Sequence, residues 1–149
     1  MSQLYPNGKM VLRQGISGTN IFASGSLTLW RALLLWEGGQ FNPTHQYVAD
    51  VVSGGLEMSG GSYARQALAS IQVAQSGSFS RFTSNPVTFL ALPAGHTAIA
   101  MVLYFHYSND AGDPVYAYID GGTSPSFPYT TTGADLVVSP NLVDGWEKF

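Results

Sequence analysis

Two runs of ten residues, Leu27 to Trp36 (LTLWRALLLW) and Ala98 to Tyr107 (AIAMVLYFHY), constrain the fold more than anything else in the chain. The first is long for a strand and short for a helix. Read with a period of two, it places Leu27, Leu29, Arg31, Leu33 and Leu35 on one face and Thr28, Trp30, Ala32, Leu34 and Trp36 on the other. Both faces are apolar, so the run predicts a strand buried on two sides. The second run is rich in aromatic and branched residues and reads the same way. Arg31 is the exception within the first run. It needs a partner, and Glu37 and Glu57 are the candidates.

The rest of the chain is cut into short pieces by turn residues. Pro6 and Asn7-Gly8 mark a turn, with a helical turn or two expected over Lys9 to Arg13. Gly15 to Ser26 reads as a loop, or as an arm ordered by a neighbour. Asn42-Pro43-Thr44 predicts a helix start, with Asn42 as N-cap and Pro43 at the first helical position. His45, Val48, Ala49 and Val52 would share one face, and Ser53-Gly54-Gly55 would end it. Strands are expected at Arg65 to Ala74, Phe79 to Thr83, Val87 to Leu92, Val115 to Ile119 and Ala134 to Ser139, with Asn141 to Phe149 finishing at an edge. Ser108 to Asp113 and Gly121 to Gly133 are loops, the second carrying Phe127 and Tyr129 outward. Short strands at regular spacing predict a mainly β fold, a single-domain antiparallel β-sandwich or barrel with one or two short helices. Residues 1–149 form that domain, with residues 1–26 as an N-terminal arm and loop.

Between the helix and the strands that follow lies Leu56-Glu57-Met58-Ser59-Gly60-Gly61-Ser62-Tyr63-Ala64-Arg65. Gly60 and Gly61 permit positive φ or a close chain approach. Tyr63 brings a ring that buries its body and hydrogen-bonds its tip. Glu57 and Arg65 bracket the segment. Together they read as a structural corner, a Gly-Gly turn pinned by Tyr63 and by an ion pair of Glu57 with Arg65 or Arg31. A ligand loop is the other reading, and the turn signal favours the corner.

Charge narrows the functions. Only 10% of the residues are charged, against about 25% in an ordinary soluble domain. A net charge of −3, with six cations spread from Lys9 to Lys148, offers no basic face for nucleic acid. The exterior must be largely Ser, Thr, Asn, Gln and Gly, a weakly self-repelling surface suited to packing against copies or a larger body. The absence of cysteine excludes disulfides, thiolate metal sites and a cysteine nucleophile. The longest apolar run, Ala98 to Phe105, has eight residues, against the ~20 a spanning helix needs. No cationic start precedes an apolar stretch, so no secretory signal is expected.

No catalytic constellation emerges. His45, His96 and His106 lack zinc-ligand spacing, and His45 with Asp50 does not make the i, i+4 pair of HExxH. Asp110, Asp113 and Asp120 lack the calcium-loop spacing and closing Glu, so they read as turn formers. There is no G-x-S-x-G elbow and no Gly-rich phosphate loop with a following Lys. The expectation is no enzyme, no cofactor and no metal.

The order of segments carries a resemblance. LYPNGKMVL near the N-terminus is followed by RALLLW, PTHQYVADV, GLEMSGGSYAR, QALASIQV, VTFLALPAG, TAIAMVLYFHY, PVYAYIDGG and GADLVVSP. From residue 27 onward the chain resembles a family of small β-rich virion structural proteins of tailed bacteriophages and prophages. The His45 to Asp50 segment and Glu57 to Arg65 are its most specific parts, and Gly15 to Ser26 fits it least.

The resemblance implies a virion component assembled in the host cytoplasm, most concretely a capsid decoration or cement protein. The expected partners are the major capsid protein and further copies of the chain, as trimers at threefold positions, with no nucleic acid and no membrane. A tail- or fibre-associated protein and a carbohydrate-binding β module are the alternatives, the latter resting on the aromatic loop. Ile16, Ile21 and Phe22 in one segment, and Phe127 and Tyr129 in the other, are the expected interface side chains.

Overall fold

The computed structural model describes residues 2–6, 29–76, 78–142 and 144–148. The first long run becomes a strand at Trp30–Leu35 and the second contains one at Ala100–Phe105. They pair antiparallel from Trp30↔Phe105 to Leu35↔Ala100. The strands in chain order are β1 (Ser2–Leu4), β2 (Trp30–Leu35), β3 (Gln66–Ala67), β4 (Gln72–Ser76), β5 (Phe79–Thr83), β6 (Val87–Phe89), β7 (Thr97–Ala98), β8 (Ala100–Phe105), β9 (Val115–Ile119), β10 (Tyr129–Thr130), β11 (Leu136–Val138) and β12 (Glu147–Lys148). A five-stranded sheet has the order β1-β9-β8-β2-β3. Three shorter ladders, β12-β5-β4, β11-β6 and β10-β7, supply the opposing layer.

The period-two reading of β2 holds residue by residue. Trp30, Ala32 and Leu34 enter the core shared with the small ladders, where Phe82, Val87, Phe89, Leu136, Val138 and Trp146 meet them. Leu33 and Leu35 enter a second core with Ala100, Val102, Tyr104, Val115, Tyr118, Val48 and Val51. The large sheet is therefore sandwiched, by β ribbons on one face and by the short helix and its flanking segments on the other. A bulge refines the pattern in β9. The register passes from Leu103↔Ala117 to Tyr104↔Val115, so Tyr116 is the extra residue, and it joins Ala117 in the ribbon-side core. The fold is a mainly β, antiparallel, sandwich-like domain.

Three expectations about elements are corrected. The helix spans Val48–Val52, not the segment from Asn42. The Asn42 side chain instead accepts from the Thr44 N–H at 2.9 Å, a local turn that competes with helix. Asp50 caps the true start by accepting from the Gln46 and Tyr47 N–H groups, both at 3.0 Å, and these bonds hold its pKa low. The buried helix residues are Val48 and Val51.

The expected strand at Arg65 to Ala74 is two strands in different sheets, β3 and β4. Between them Ser70 has φ +54°, and Asn85 pins the break by donating its N–H to Ala69 O at 2.9 Å. Leu68, which blurs the alternation in sequence, is buried at this crossing. The run at Ala98 to Tyr107 is likewise divided. Thr97–Ala98 pairs with β10 and Ala100–Phe105 with β2 and β9, so the chain changes layers at Ile99. The helical turns expected at Lys9 to Arg13 and the loop at Gly15 to Ser26 lie outside the described residues, as do Ile16, Ile21 and Phe22.

Candidate functional site

β3 covers only part of the exposed edge of β2, pairing Arg31↔Ala67 and Ala32↔Gln66. Beyond it the corner segment takes over. Met58 donates its N–H to Leu34 O at 3.0 Å, Leu35 bridges Glu57, and Trp36 donates to Leu56 O at 3.2 Å. One backbone group is left between the two stretches, the Leu34 N–H. The Tyr63 hydroxyl accepts from it at 3.0 Å and donates onward to Glu57 Oε1 at 2.9 Å. Tyr63 thus completes the edge of β2 with a side chain. Its ring stacks near Phe89, with centroids 6.0 Å apart. Burial, then the Glu57 carboxylate, push the phenol pKa up, which keeps the hydroxyl a donor.

Glu57 is held in turn by Arg65. Arg65 Nε donates to Oε1 at 2.8 Å and Nη2 to Oε2 at 2.7 Å. The ion pair expected at the corner is this one, with Arg65 and not Arg31. Arg65 also reaches a group with no signature in sequence. Its Nη1 and Nη2 donate to Asp110 Oδ1 and Oδ2 at 2.6 and 2.9 Å. The same guanidinium lies 5.6 Å from the centroid of the Tyr104 ring. These hydrogen bonds raise the Arg65 pKa and lower that of Asp110. One arginine therefore clasps the corner to the β8–β9 hairpin.

The glycines have both of the roles open to them. Gly60 and Gly61 have φ of +93° and +57°, and a Cβ on Gly61 would lie 2.4 Å from Ala91 O. That close approach lets Ser62 donate its N–H to the same oxygen at 3.1 Å.

The hairpin is built by Asp113, which is fully buried. It accepts from the N–H groups of Tyr107 and Ser108 at 3.1 and 2.9 Å and pairs with His106 Nδ1 at 2.5 Å. The turn-forming role expected of these aspartates fits Asp113. The histidines go to three places. His45 stacks near Tyr5, His96 packs near Trp36, and His106 meets Asp113. Among the described residues no group of three or more His, Cys, Asp or Glu side chains is placed to hold a metal ion.

The aromatic loop is corrected. Phe127 is 7% exposed and belongs to the ribbon-side core, against which the partly buried Tyr129 packs. Tyr129 also lies in β10, paired with Ala98. Burying a large apolar side chain is worth roughly 1.5–3 kcal/mol, and for Phe127 that gain is already taken within the monomer. Phe127 is therefore not the outward anchor expected, whereas Tyr129 keeps part of its surface exposed. The more exposed apolar side chains lie elsewhere. On the β6–β11 ladder Val87, Phe89, Leu136 and Val138 are buried and Val137 is exposed, as are Leu90 just after β6, Tyr47, Tyr107 and Leu142.

Comparison with protein-family models, curated proteins and solved structures finds no match to this chain. Among the described residues no helix is long and apolar enough to cross a membrane.

Proposed function

We propose that this chain is a structural protein of a tailed-bacteriophage virion, docked on the major capsid protein as a decoration or cement protein. The observation that carries the reading is the ordered series RALLLW, PTHQYVADV, GLEMSGGSYAR and TAIAMVLYFHY, with the resemblance it bears. The geometry of the corner supports a structural role. Glu57, Tyr63, Arg65 and Asp110 spend their hydrogen-bonding capacity on one another and on the edge of β2. The low charge and the outward Leu90 and Val137 favour attachment by apolar contact over an ionic dock. Ile16, Ile21 and Phe22 are the further proposed contacts, and trimers the proposed assembly on the shell.

Virions assembled without the protein test the role. They are expected to lose their genome at a lower temperature than complete virions. On complete virions the protein is expected to stay bound through a 1 M salt wash, about a 3 Å screening length, because apolar contact is not screened. Equal thermal stability with and without the protein would remove the cement role. Release at moderate salt would remove the apolar mode of attachment.

A further inference from the structure

β4 is an edge strand. In the sheet β12-β5-β4 it pairs on one side with β5, from Gln72↔Thr83 to Ser76↔Phe79, and no described strand pairs with its other side. The direction of its free backbone groups follows from its neighbour. Phe82, opposite Val73, accepts the Trp146 N–H on its carbonyl oxygen at 2.8 Å, so the Phe82 backbone faces β12. In an antiparallel ladder such a residue and the one opposite form a pair that exchanges no hydrogen bonds. The N–H and C=O of Val73 therefore point away from β5, and by alternation so do those of Gln75. Among the described residues no hydrogen bond reaches them.

Open edges in proteins are blunted by short length, charge, proline or a bulge. The other edge strands here are short. β1, β3, β6, β7, β10, β11 and β12 have two or three residues, and β12 is a Glu and a Lys. β4 has five residues, Gln-Val-Ala-Gln-Ser, with no charge and no proline, and its ladder to β5 runs without a bulge. The nearest charge in that ladder, Arg81 opposite Ala74, donates from Nη1 to Leu142 O. A strand without charge does not repel its own copy, and it offers a charged foreign segment no counter-charge. Reversed about Ala74, it also matches itself. Val73 of one copy lies opposite Gln75 of the other, and each such pair can exchange both N–H···O=C bonds.

We propose that β4 is a pairing edge for β4 of a second copy of this chain, antiparallel about a twofold axis at Ala74. The two sheets then join in the order β12-β5-β4-β4-β5-β12. Both outer edges of the joined sheet are β12, short and charged, so growth stops at two copies. The contact is distinct from the trimer proposed on the shell and does not rest on the virion reading.

Amide hydrogen exchange of the purified protein, read by NMR across a dilution series, tests it, with sedimentation velocity on the same samples. The protein is expected to sediment as a dimer at high concentration and as a monomer on dilution. The Val73 and Gln75 amides should be protected in the dimer and lose that protection in the monomer, whereas the Ala74 amide, which faces β5, keeps its protection in both. Gln75→Pro removes an outward N–H at a position where an edge strand accepts proline. It should sediment as a monomer at concentrations where the wild type is a dimer; should that variant not fold, the exchange data decide alone. A protein that stays monomeric throughout, an oligomer whose Val73 and Gln75 amides exchange freely, or protection of those amides in the monomer overturns the proposal.

Discussion

Replacing Glu57 by Gln probes the clasp at its centre. The substitution preserves shape and one carbonyl oxygen, so Tyr63 and Arg65 Nε keep an acceptor. It turns the other oxygen, which receives Arg65 Nη2 at 2.7 Å, into an amide that faces a donor with a donor. A hydrogen bond to a charged group is worth about 1.5–3 kcal/mol, and breaking a fully buried ion pair costs roughly 3–5 kcal/mol. The pair here is 24% and 20% exposed at Arg65 and Glu57, and Asp110 still holds the guanidinium. The expected loss therefore falls below the buried-pair range, at about 2 kcal/mol. For a chain of this length that lowers Tm by roughly 4–8 °C. Asp110→Asn should cost less, under about 1 kcal/mol, because Asp110 is 43% exposed and solvent screens it. Calorimetric melts of the two variants and their double mutant at neutral pH give both values and the coupling. A Glu57→Gln protein that melts with the wild type, or a reversed ranking of the two variants, would refute the reasoning.

Tyr63→Phe leaves the Leu34 N–H without its acceptor inside the sheet edge, at a cost of about 1–3 kcal/mol, and amide exchange at Leu34 should accelerate more than at Leu33. Gly61→Ala combines φ +57° with a Cβ 2.4 Å from Ala91 O, whereas Gly54→Ala, at φ +77°, meets nothing within 4 Å; the first should be clearly the more destabilising in denaturant melts, the second costing only the ~1–2 kcal/mol of left-handed strain. The Asp110 pKa is depressed by Arg65, so its contribution is present above the unfolded value of about 3.9 and is lost as pH falls through the folded value; the Tm gap between wild type and Asp110→Asn should shrink on acidification below about pH 4. Phe127→Ala should destabilise the isolated protein by roughly 3–5 kcal/mol, as a core truncation does, where an interface residue would leave its melt unchanged.

The parts of the fold that periodicity controls were legible in the residues. The period of two in LTLWRALLLW separates the apolar side chains of β2 into two sets, Trp30, Ala32 and Leu34 in one core and Leu33 and Leu35 in the other, because successive side chains of a strand point to opposite faces. The corner was legible because Gly-Gly, Tyr63 and a scarce acid and base act within ten residues of chain. What crosses long separations was not. Asp110 lies 45 residues from Arg65, and nothing in SNDAGD distinguishes it from a turn former. The change of layers at Ile99 interrupts an apolar run that has no Gly or Pro to mark it. Phe127 sits in a Gly/Pro/Thr-rich segment whose composition predicts exposure, yet the segment folds back so that the ring fills the ribbon-side core.

The proposal of a virion structural role is tested most directly by quantitative mass spectrometry of purified phage particles, with the protein's amount expressed relative to the major capsid protein. The account predicts that the protein co-purifies at high copy number, in a fixed ratio to the capsid protein and with the head fraction. Recovery at a few copies with the tail fraction would contradict the shell position, and absence from purified particles would contradict the virion role itself.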